Sequence, residues 1–384
     1  MASRRRFIKT VGGSAAAALA FTRTPVRAAT QPPGAPPSGA PPPGAPPGAQ
    51  QRGAPPRDFG PNAPPAPYPD PDIVAVEAEF RSLILGNTPI KRLWIGALWA
   101  EGPAWSSEGR YLVWSDVAGN RQLRWLEDDE RVSVFRSPSN NSNGNTFDFQ
   151  GRQISCEHLT RRVVRYEHDG SVTTLAESFN GKRLNSPNDV APHSDGSYWF
   201  TDPPYGRSLY EGRPEPRELP TAVYRVDGKT GAITQVISED QVPDPNGIAF
   251  SPDFTKVYVV STGKGPGDTG PGGKGDVFVL DVSGARASNA RRFSDFMIDN
   301  VKCSPDGIRC DVTGHVWCSS NAGGNVGYSG VTVWTPQGRL IGRIRLPEAC
   351  ANLCFGGVKR NRLFMTASQS LYAVYVNTQG AAPG

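Results

Sequence analysis

The stretch Asn185-Ser-Pro-Asn-Asp-Val-Ala-Pro192 places polar residues directly before a short apolar strand, and Ser197-Tyr-Trp-Phe-Thr201 follows as a second strand. The same arrangement recurs along the chain. Its openings are Glu101-Gly-Pro-Ala-Trp105, Asn145-Thr-Phe-Asp-Phe149, Asn188-Asp-Val-Ala-Pro192, Asn246-Gly-Ile-Ala-Phe250, Asp306-Gly-Ile-Arg-Cys310 and Asn352-Leu-Cys-Phe355. They stand 44, 43, 58, 60 and 46 residues apart. This period is typical of four-stranded blades, so six repeats predict an all-β, six-bladed β-propeller.

A second strand follows every opening, and the blade that ends near Val376 needs a strand from elsewhere to complete it. The segments 75–85 and 91–99 are the two candidates, and closure by either one would hide sheet edges that otherwise lack partners. Two long loops, 203–220 and 263–275, account for the longer intervals. Loops rich in Pro and Gly can cover a pocket on a rigid scaffold or can be plain surface excursions, and both readings stay open.

The first residues predict export. Arg4 and Arg5, followed by Phe7, Ile8 and Lys9, match a twin-arginine signal, and the apolar run that comes next is too short to span a bilayer. We expect residues 1–28 to be a signal peptide read by the twin-arginine export machinery, with an uncleaved anchor as the alternative. The mature protein would then be periplasmic or secreted, with no stable membrane insertion.

Composition predicts the domain boundaries and limits the expected partners. Residues 29–73 are rich in Pro, Gly and Ala and predict a disordered linker, so the propeller would occupy residues 74–384. The net charge of +5 comes partly from the first residues and gives little reason to expect a nucleic-acid partner. The six cysteines form no Cys-x-x-Cys pair, and we expect them to be structural, whether free or bridged.

The polar openings predict a site on the propeller axis, because the innermost strand of each blade lines the central channel. The candidates for this ring are Glu101, Asn145, Asn188, Asn246, Asp306 and Asn352. Carboxylate and amide oxygens suit hard cations such as calcium, magnesium or manganese. Taken singly, each of these residues could instead be an ordinary turn or cap residue.

Several motifs in order resemble the gluconolactonase branch of the senescence-marker-protein/gluconolactonase/luciferin-regenerating-enzyme-like family. They are Glu101-Gly-Pro-Ala-Trp105, Cys156-Glu-His158, Asn185-Ser-Pro-Asn-Asp-Val190, Trp199-Phe-Thr-Asp-Pro-Pro-Tyr-Gly206, Pro245-Asn-Gly-Ile-Ala-Phe250 and Pro305-Asp-Gly-Ile-Arg-Cys-Asp311. The resemblance covers residues 93–376. It implies a six-bladed propeller that hydrolyses lactones with one divalent metal ion, Ca²⁺ first, with Zn²⁺ or Mn²⁺ as alternatives.

The resemblance also implies roles for single residues. Glu101, Asn246 and Asp306 resemble the family's metal ligands, and Asn188 matches an asparagine that contacts the metal or the substrate. Asp189 falls where some relatives place an acidic residue near the reacting centre.

Lactone hydrolysis requires a polarised carbonyl and a group that takes a proton from the attacking water. Asp306, also a ligand, and Asp189 are alternative bases, and His158 and Asn145 are candidate substrate-binding residues, although a packed or solvent-facing His158 is as plausible. The sequence contains no Gly-x-Ser-x-Gly elbow, so a serine nucleophile is disfavoured. We therefore expect a small-molecule lactone substrate, with a sugar lactone first. The rivals are another lactone or a phosphoester, and a non-enzymatic propeller that binds a sugar or a protein and has a structural metal.

Overall fold

The structure, a computed structural model, describes residues 55–263 and 273–383. The expected signal peptide, the first part of the expected linker and most of the glycine-rich loop lie outside the described residues. Within the described ranges, no helix has the length and apolar character needed to cross a bilayer.

The described chain forms six antiparallel blades, which we number in chain order. Listed from the inner to the outer edge, the strands are: blade 1, Ala100–Ser106, Tyr111–Asp116, Arg121–Leu126 and Val132–Arg136; blade 2, Ser142–Phe147, Gln153–Glu157, Arg162–Tyr166 and Val172–Ala176; blade 3, Val190–Pro192, Tyr198–Asp202, Ala222–Val226 and Ile233–Ser238; blade 4, Pro245–Phe250, Lys256–Ser261, Asp276–Ser283 and Arg286–Ser294; blade 5, Ser304–Cys310, Val316–Asn321, Gly330–Trp334, Leu340–Arg345 and Ile73–Ala75; blade 6, Cys350–Gly356, Arg362–Ala367, Ser370–Tyr375 and Lys91–Ile95.

Elements outside the blades are short. Two small hairpins pair Ser178–Phe179 with Lys182–Arg183 and Met297–Ile298 with Val301–Lys302. The 3₁₀ helices Ala78–Ser82 and Tyr205–Arg207 complete the described regular structure. The predicted all-β, six-bladed architecture is confirmed.

The ring closes through the early segment. Lys91–Ile95 pairs antiparallel with Ser370–Tyr375 and becomes the outer strand of blade 6, so the last blade contains both early and late chain segments. The other candidate segment, 75–85, does not complete blade 6. Its first residue, Ala75, ends the strand Ile73–Ala75, which adds a fifth strand to blade 5, and the helix Ala78–Ser82 follows. Closure thus leaves fewer unpaired strand edges.

The hydrophobic core is divided among the blade interfaces. Blades 5 and 6 enclose one cluster around Trp317 and Met365, and blades 2 and 3 enclose another around Val163 and Phe200. The other four clusters lie between the remaining neighbouring pairs. All six cysteines are buried and unpaired, consistent with small apolar side chains in strands.

Part of the segment assigned to the linker contacts the propeller. Asp70 and Asp72 are buried, and the guanidinium group of Arg57 binds both carboxylates. Arg345 of blade 5 also donates to Asp72 at 2.6 Å, and Phe59 packs edge-on against Tyr372 of blade 6. Charge pairing therefore fixes residues 57–72 on the propeller despite their Pro-rich composition.

The inner strands approach one another closely near the axis, at glycines that directly follow a polar residue. A Cβ atom on Gly144 would lie 2.4 Å from the carbonyl oxygen of Asn188, and one on Gly307 would lie 2.2 Å from Oδ1 of Asn352. The same crowding applies at Gly102 and Gly247. Only glycine permits this approach, and the strand pairing shifts register at each of these glycines.

Candidate active site

A cavity of about 220 Å³ lies where several inner strands begin. Its polar lining includes one residue from each of the first five blades and one from the loop 203–220. These residues are Glu101, Asn143, Asn188, Asn246, Asp306 and Glu211. Trp99 and Tyr205 contribute aromatic surface, and Thr262 and Ser304 contribute hydroxyl groups. The propeller therefore brings distant polar residues to one small volume.

Glu101 and Asp306 are the two carboxyl groups on the inner strands of this cavity. Burial raises the pKa of Glu101 to about 7, although its carboxylate accepts a 2.7 Å hydrogen bond from the backbone of Gly102. Burial, followed by repulsion from Glu101 and Glu211, raises the pKa of Asp306 well above its usual range. Ionisation of both carboxyl groups in this buried cavity therefore costs free energy, and a bound cation would offset that cost.

Amide side chains complete this part of the cavity. Asn246 hydrogen-bonds Asp306, and Asn352 hydrogen-bonds Glu101. Asn352 itself is not among the cavity-lining residues. Asn188 lines the wall, and Oδ1 of Asn143 is buried there without a hydrogen-bond partner. These amides hold the two carboxyls in place and leave oxygen atoms available to a ligand.

Asn145, expected in the channel ring, does not line the cavity. Its amide nitrogen donates to the carbonyl oxygen of Gly102 at 2.9 Å and to Ser115 at 3.0 Å. Its oxygen accepts from the amides of Gln122 and Gln153. These contacts fully use its polar groups between blades 1 and 2, so Asn145 has no group free for a substrate. Asn143, two residues earlier, occupies the cavity position.

Asp189 also lies outside the cavity lining, although it follows Asn188 directly. Its carboxylate pairs with Arg309, with Oδ2 to Nη1 at 3.0 Å and Oδ1 to Nη2 at 3.4 Å. It further accepts a hydrogen bond from the backbone of Val190. Both partners of the ion pair are buried. The geometry therefore favours a structural role at the centre of the ring over that of a base.

His158 is enclosed beneath the loop 203–220 and does not reach the rim. Its side chain is fully buried, and neither ring nitrogen makes a hydrogen bond of ordinary geometry. Burial lowers the pKa of His158 to about 4. The nearest carboxylate is that of Glu211, whose Oε2 lies 3.7 Å from Nδ1.

Glu211 was not singled out from the sequence. It is buried and lines the cavity, and burial together with repulsion from Glu101 raises its pKa to about 8. It comes from an insertion with no repeat pattern, so only the folded loop reveals it. Asn143 could have been found, because Glu101, Asn143, Asn246 and Asp306 are each followed by glycine.

The remaining motif residue, Asp202, has a structural task. Its carboxylate accepts hydrogen bonds from the backbone of Asn185 at 2.8 Å and of Ser186 at 2.9 Å. These bonds fix the segment that leads to Asn188. Tyr205, three residues after Asp202, lines the cavity.

The donor set fits a hard cation. The described residues contain no group of three or more His, Cys, Asp and Glu side chains that could hold a metal ion. Any cation at this cavity would therefore need amide oxygens beside Glu101 and Asp306. The unpartnered oxygen of Asn143 and the mutual repulsion of the buried carboxyls match such a requirement.

Comparison with known proteins agrees with this architecture. Residues 99–369 match the SMP-30/Gluconolactonase/LRE-like region. A gluconolactonase from Zymomonas mobilis is 28% identical over 315 residues, which cover 77% of this chain and 83% of that protein. The solved structure of a gluconolactonase from Xanthomonas campestris is 33% identical, with a TM-score of 0.69 over 83% of this chain and 99% of that one.

A calcium-binding regucalcin from Agrobacterium tumefaciens shares the fold, with a TM-score of 0.60 at 19% identity over 75% of this chain and 94% of that one. The predicted family resemblance is thus confirmed over most of the propeller. The chain belongs to the SMP-30/gluconolactonase/LRE-like family.

Proposed function

We propose that the chain hydrolyses a sugar lactone, with an aldonolactone such as a gluconolactone as the leading substrate class. The observation that carries this proposal is the meeting of Glu101, Asn246 and Asp306, from three separate blades, in one cavity. Family membership and the gluconolactonases among the similar proteins support lactone hydrolysis in general.

The polar wall suits a hydroxylated ring. Asn143 and Asn188 offer amide groups, and Thr262 and Ser304 offer hydroxyls, all of which can exchange hydrogen bonds with the hydroxyl groups of a sugar. Trp99 and Tyr205 provide apolar surface for the ring itself.

We propose that Glu101, Asn188, Asn246 and Asp306 hold one divalent cation, with Ca²⁺ first and Mn²⁺ or Zn²⁺ as alternatives. When bound, such a cation supplies Lewis-acid stabilisation of the charge that develops on the lactone carbonyl oxygen. Glu101 and Asp306 supply the negative charge, and the amides of Asn352 and Asn246 orient these carboxyls. The calcium-binding regucalcin supports calcium as the first choice.

A lactone screen tests this proposal. The purified protein, stripped with EDTA and then supplied with one divalent ion at a time, would be assayed with a pH indicator against several lactones. We expect turnover of an aldonolactone that disappears on stripping and returns with the cation. Absence of turnover with every ion, together with retained sugar binding, would favour the non-enzymatic rival. Turnover of a phosphoester or of an unsubstituted lactone alone would favour the other hydrolase readings.

We also propose export by the twin-arginine route, on the strength of Arg4 and Arg5 and the short apolar run after them. Replacement of both arginines by lysine should retain the full-length precursor in the cytoplasm. Fractionation of cells that express either form measures this directly.

A further inference from the structure

The loop 203–220, here called the strap, is fixed across the cavity by contacts with several blades. Tyr210 donates from its hydroxyl to the carbonyl oxygen of Leu98 before blade 1 at 3.3 Å. Tyr205 donates to the carbonyl oxygen of Asp244 before blade 4 at 3.4 Å, and the backbone of Gly206 donates to Ser186 at 3.0 Å. The strap therefore crosses from blade 3 to both sides of the site.

The turn within the strap has a defined shape. The backbone of Arg213 donates to the carbonyl oxygen of Gly206 at 3.1 Å, and that of Gly212 donates to Ser208 at 2.9 Å. Leu209, at the tip, is exposed, whereas Glu211 is buried. This turn directs one carboxylate inward while its neighbours remain outside.

A buried polar group lies directly behind that carboxylate. Neither ring nitrogen of His158 makes a hydrogen bond of ordinary geometry, and the nearest polar groups are the backbone of Glu211 and its Oε2, which lies 3.7 Å from Nδ1. A buried imidazole without a well-formed hydrogen bond costs free energy, and a hydrogen bond to Glu211 would reduce that cost. A small movement of Glu211 would complete a hydrogen bond between the two.

The proposed reaction needs a group that takes a proton from the attacking water, and Asp306 and Asp189 are the two candidates from the sequence. Asp189 is held by Arg309 and lies outside the cavity, and Glu101 and Asp306 are the carboxyls assigned to the cation. Glu211 is the remaining carboxyl among the described cavity residues. A carboxyl in this position can contact the substrate from the strap side.

We propose that Glu211 is the proton-transferring catalytic residue of this site and that His158 positions it; this inference rests on the proposed lactone hydrolysis. Water forms a bond to the carbonyl carbon while one of its protons passes to the ionised carboxylate of Glu211, the form that predominates above its raised pKa. The ring carbon–oxygen bond then breaks, and Glu211 returns the proton to the departing ring oxygen. The product is the open hydroxy acid, and Glu211 regains its starting state.

The test compares Glu211→Gln with Glu218→Gln, a matched control at a more exposed carboxylate of the strap. Hydrolysis of glucono-1,5-lactone by the full chain with saturating Ca²⁺ would be followed, and Ca²⁺ affinity would be measured by calorimetry. We expect kcat of Glu211→Gln to fall by roughly 10²- to 10⁴-fold with unchanged Ca²⁺ affinity. Glu218→Gln should behave as the wild type.

Three results would overturn this assignment. If Glu211→Gln kept kcat within about threefold of the wild type, Glu211 would carry no proton in the rate-limiting chemistry. If its Ca²⁺ affinity fell along with kcat, Glu211 would be a cation ligand instead. Absence of lactone turnover in the wild type would reject the proposed function itself, and this inference with it.

The role of His158 requires a separate readout, because a core substitution can act through stability alone. His158→Phe would be measured alone and combined with Glu211→Gln, with Tm recorded for every variant. We expect the substitution to lower kcat in the wild type and to have little further effect beside Glu211→Gln. Equal losses in both backgrounds would show that His158 only fills space.

Discussion

At the scale of single residues, Asp306 is the clearest test of the cavity. Its carboxyl is crowded by Glu101 and is hydrogen-bonded by Asn246. We predict that Asp306→Asn lowers lactone turnover by at least ~100-fold, because a charged group that stabilises the reacting site is lost. The fold should survive, because the replacement has nearly the same shape and relieves like-charge repulsion.

Steady-state kinetics, Ca²⁺ calorimetry and circular dichroism on Asp306→Asn measure these effects. Asp240→Asn, an exposed carboxylate outside the cavity, is a suitable control. Wild-type turnover in Asp306→Asn would reject its assignment as a ligand.

Asp189 provides an opposite prediction at the same scale. Removal of its charge leaves Arg309 buried without its ion partner, so Asp189→Asn should lower the free energy of unfolding by about 3 to 5 kcal/mol. The protein that remains folded should keep most of its kcat, because Asp189 lies outside the cavity.

Urea denaturation and active-site-normalised kinetics separate the two effects. Addition of Arg309→Met to Asp189→Asn should restore part of the stability. A variant of normal stability without turnover would instead return Asp189 to the role of base.

The sequence predicted some of the polar cavity residues but not Asn143 and Glu211. Glu101, Asn188, Asn246 and Asp306 were found because each opens a repeated strand. Asn145 is the residue that directly precedes the apolar positions, whereas the inner strand shifts register between Ser142 and Asn145, and Asn143 lines the cavity. Glu211 has no counterpart in the other repeats and could not be found from spacing.

At the scale of elements, the inner strands depend on glycine where they approach each other. The backbone of Gly144 donates to the carbonyl oxygen of Asn188 at 2.7 Å, and a Cβ atom would lie 2.4 Å from that same oxygen. We predict that Gly144→Ala lowers the free energy of unfolding by about 1 to 3 kcal/mol, because blades 2 and 3 must separate locally.

Gly86→Ala is the matched control, because a Cβ there has no atom within 4 Å. It should change stability by less than about 0.5 kcal/mol. Chemical denaturation of both variants measures the difference. Equal stability of Gly144→Ala and Gly86→Ala would show that the inner strands can move apart at Gly144 without loss of stability.

The blade strands themselves were predictable, because each blade repeats an apolar pattern with polar turns. The outer strand of blade 6 was predicted only as one of two candidates. Lys91–Ile95 takes this place, and Ile73–Ala75 extends blade 5 instead. Neither segment is distinguished by its local sequence, so the position of the neighbouring edge decides between them.

At the scale of the whole molecule, the cavity links stability to pH and to cations. The pKa of Glu101 is about 7 in the folded chain against an ordinary 4.5. The folded carboxyl therefore stays protonated over a pH range in which the unfolded one ionises. A raised pKa of this kind makes stability fall as pH rises from about 4.5 to about 7.

We predict that, in EDTA, this effect lowers Tm by a few degrees across that range. Saturating Ca²⁺ should oppose the fall by favouring the ionised carboxyls. Thermal melts of the wild type and of Glu101→Gln across pH measure the contribution, since the variant should show a shallower dependence. Identical slopes in the two proteins would contradict the prediction.

The sequence alone predicted the six-bladed ring and the main polar residues of its cavity, because these recur along the chain, and its ordered motifs carried the family resemblance. Only the tertiary structure showed that Asp189 pairs with Arg309 across 120 residues and that the strap places Glu211 beside His158. Such contacts join segments that are distant in the sequence, and the local pattern of one segment does not predict its contact with the other. Their meeting depends on how the blades close around the axis.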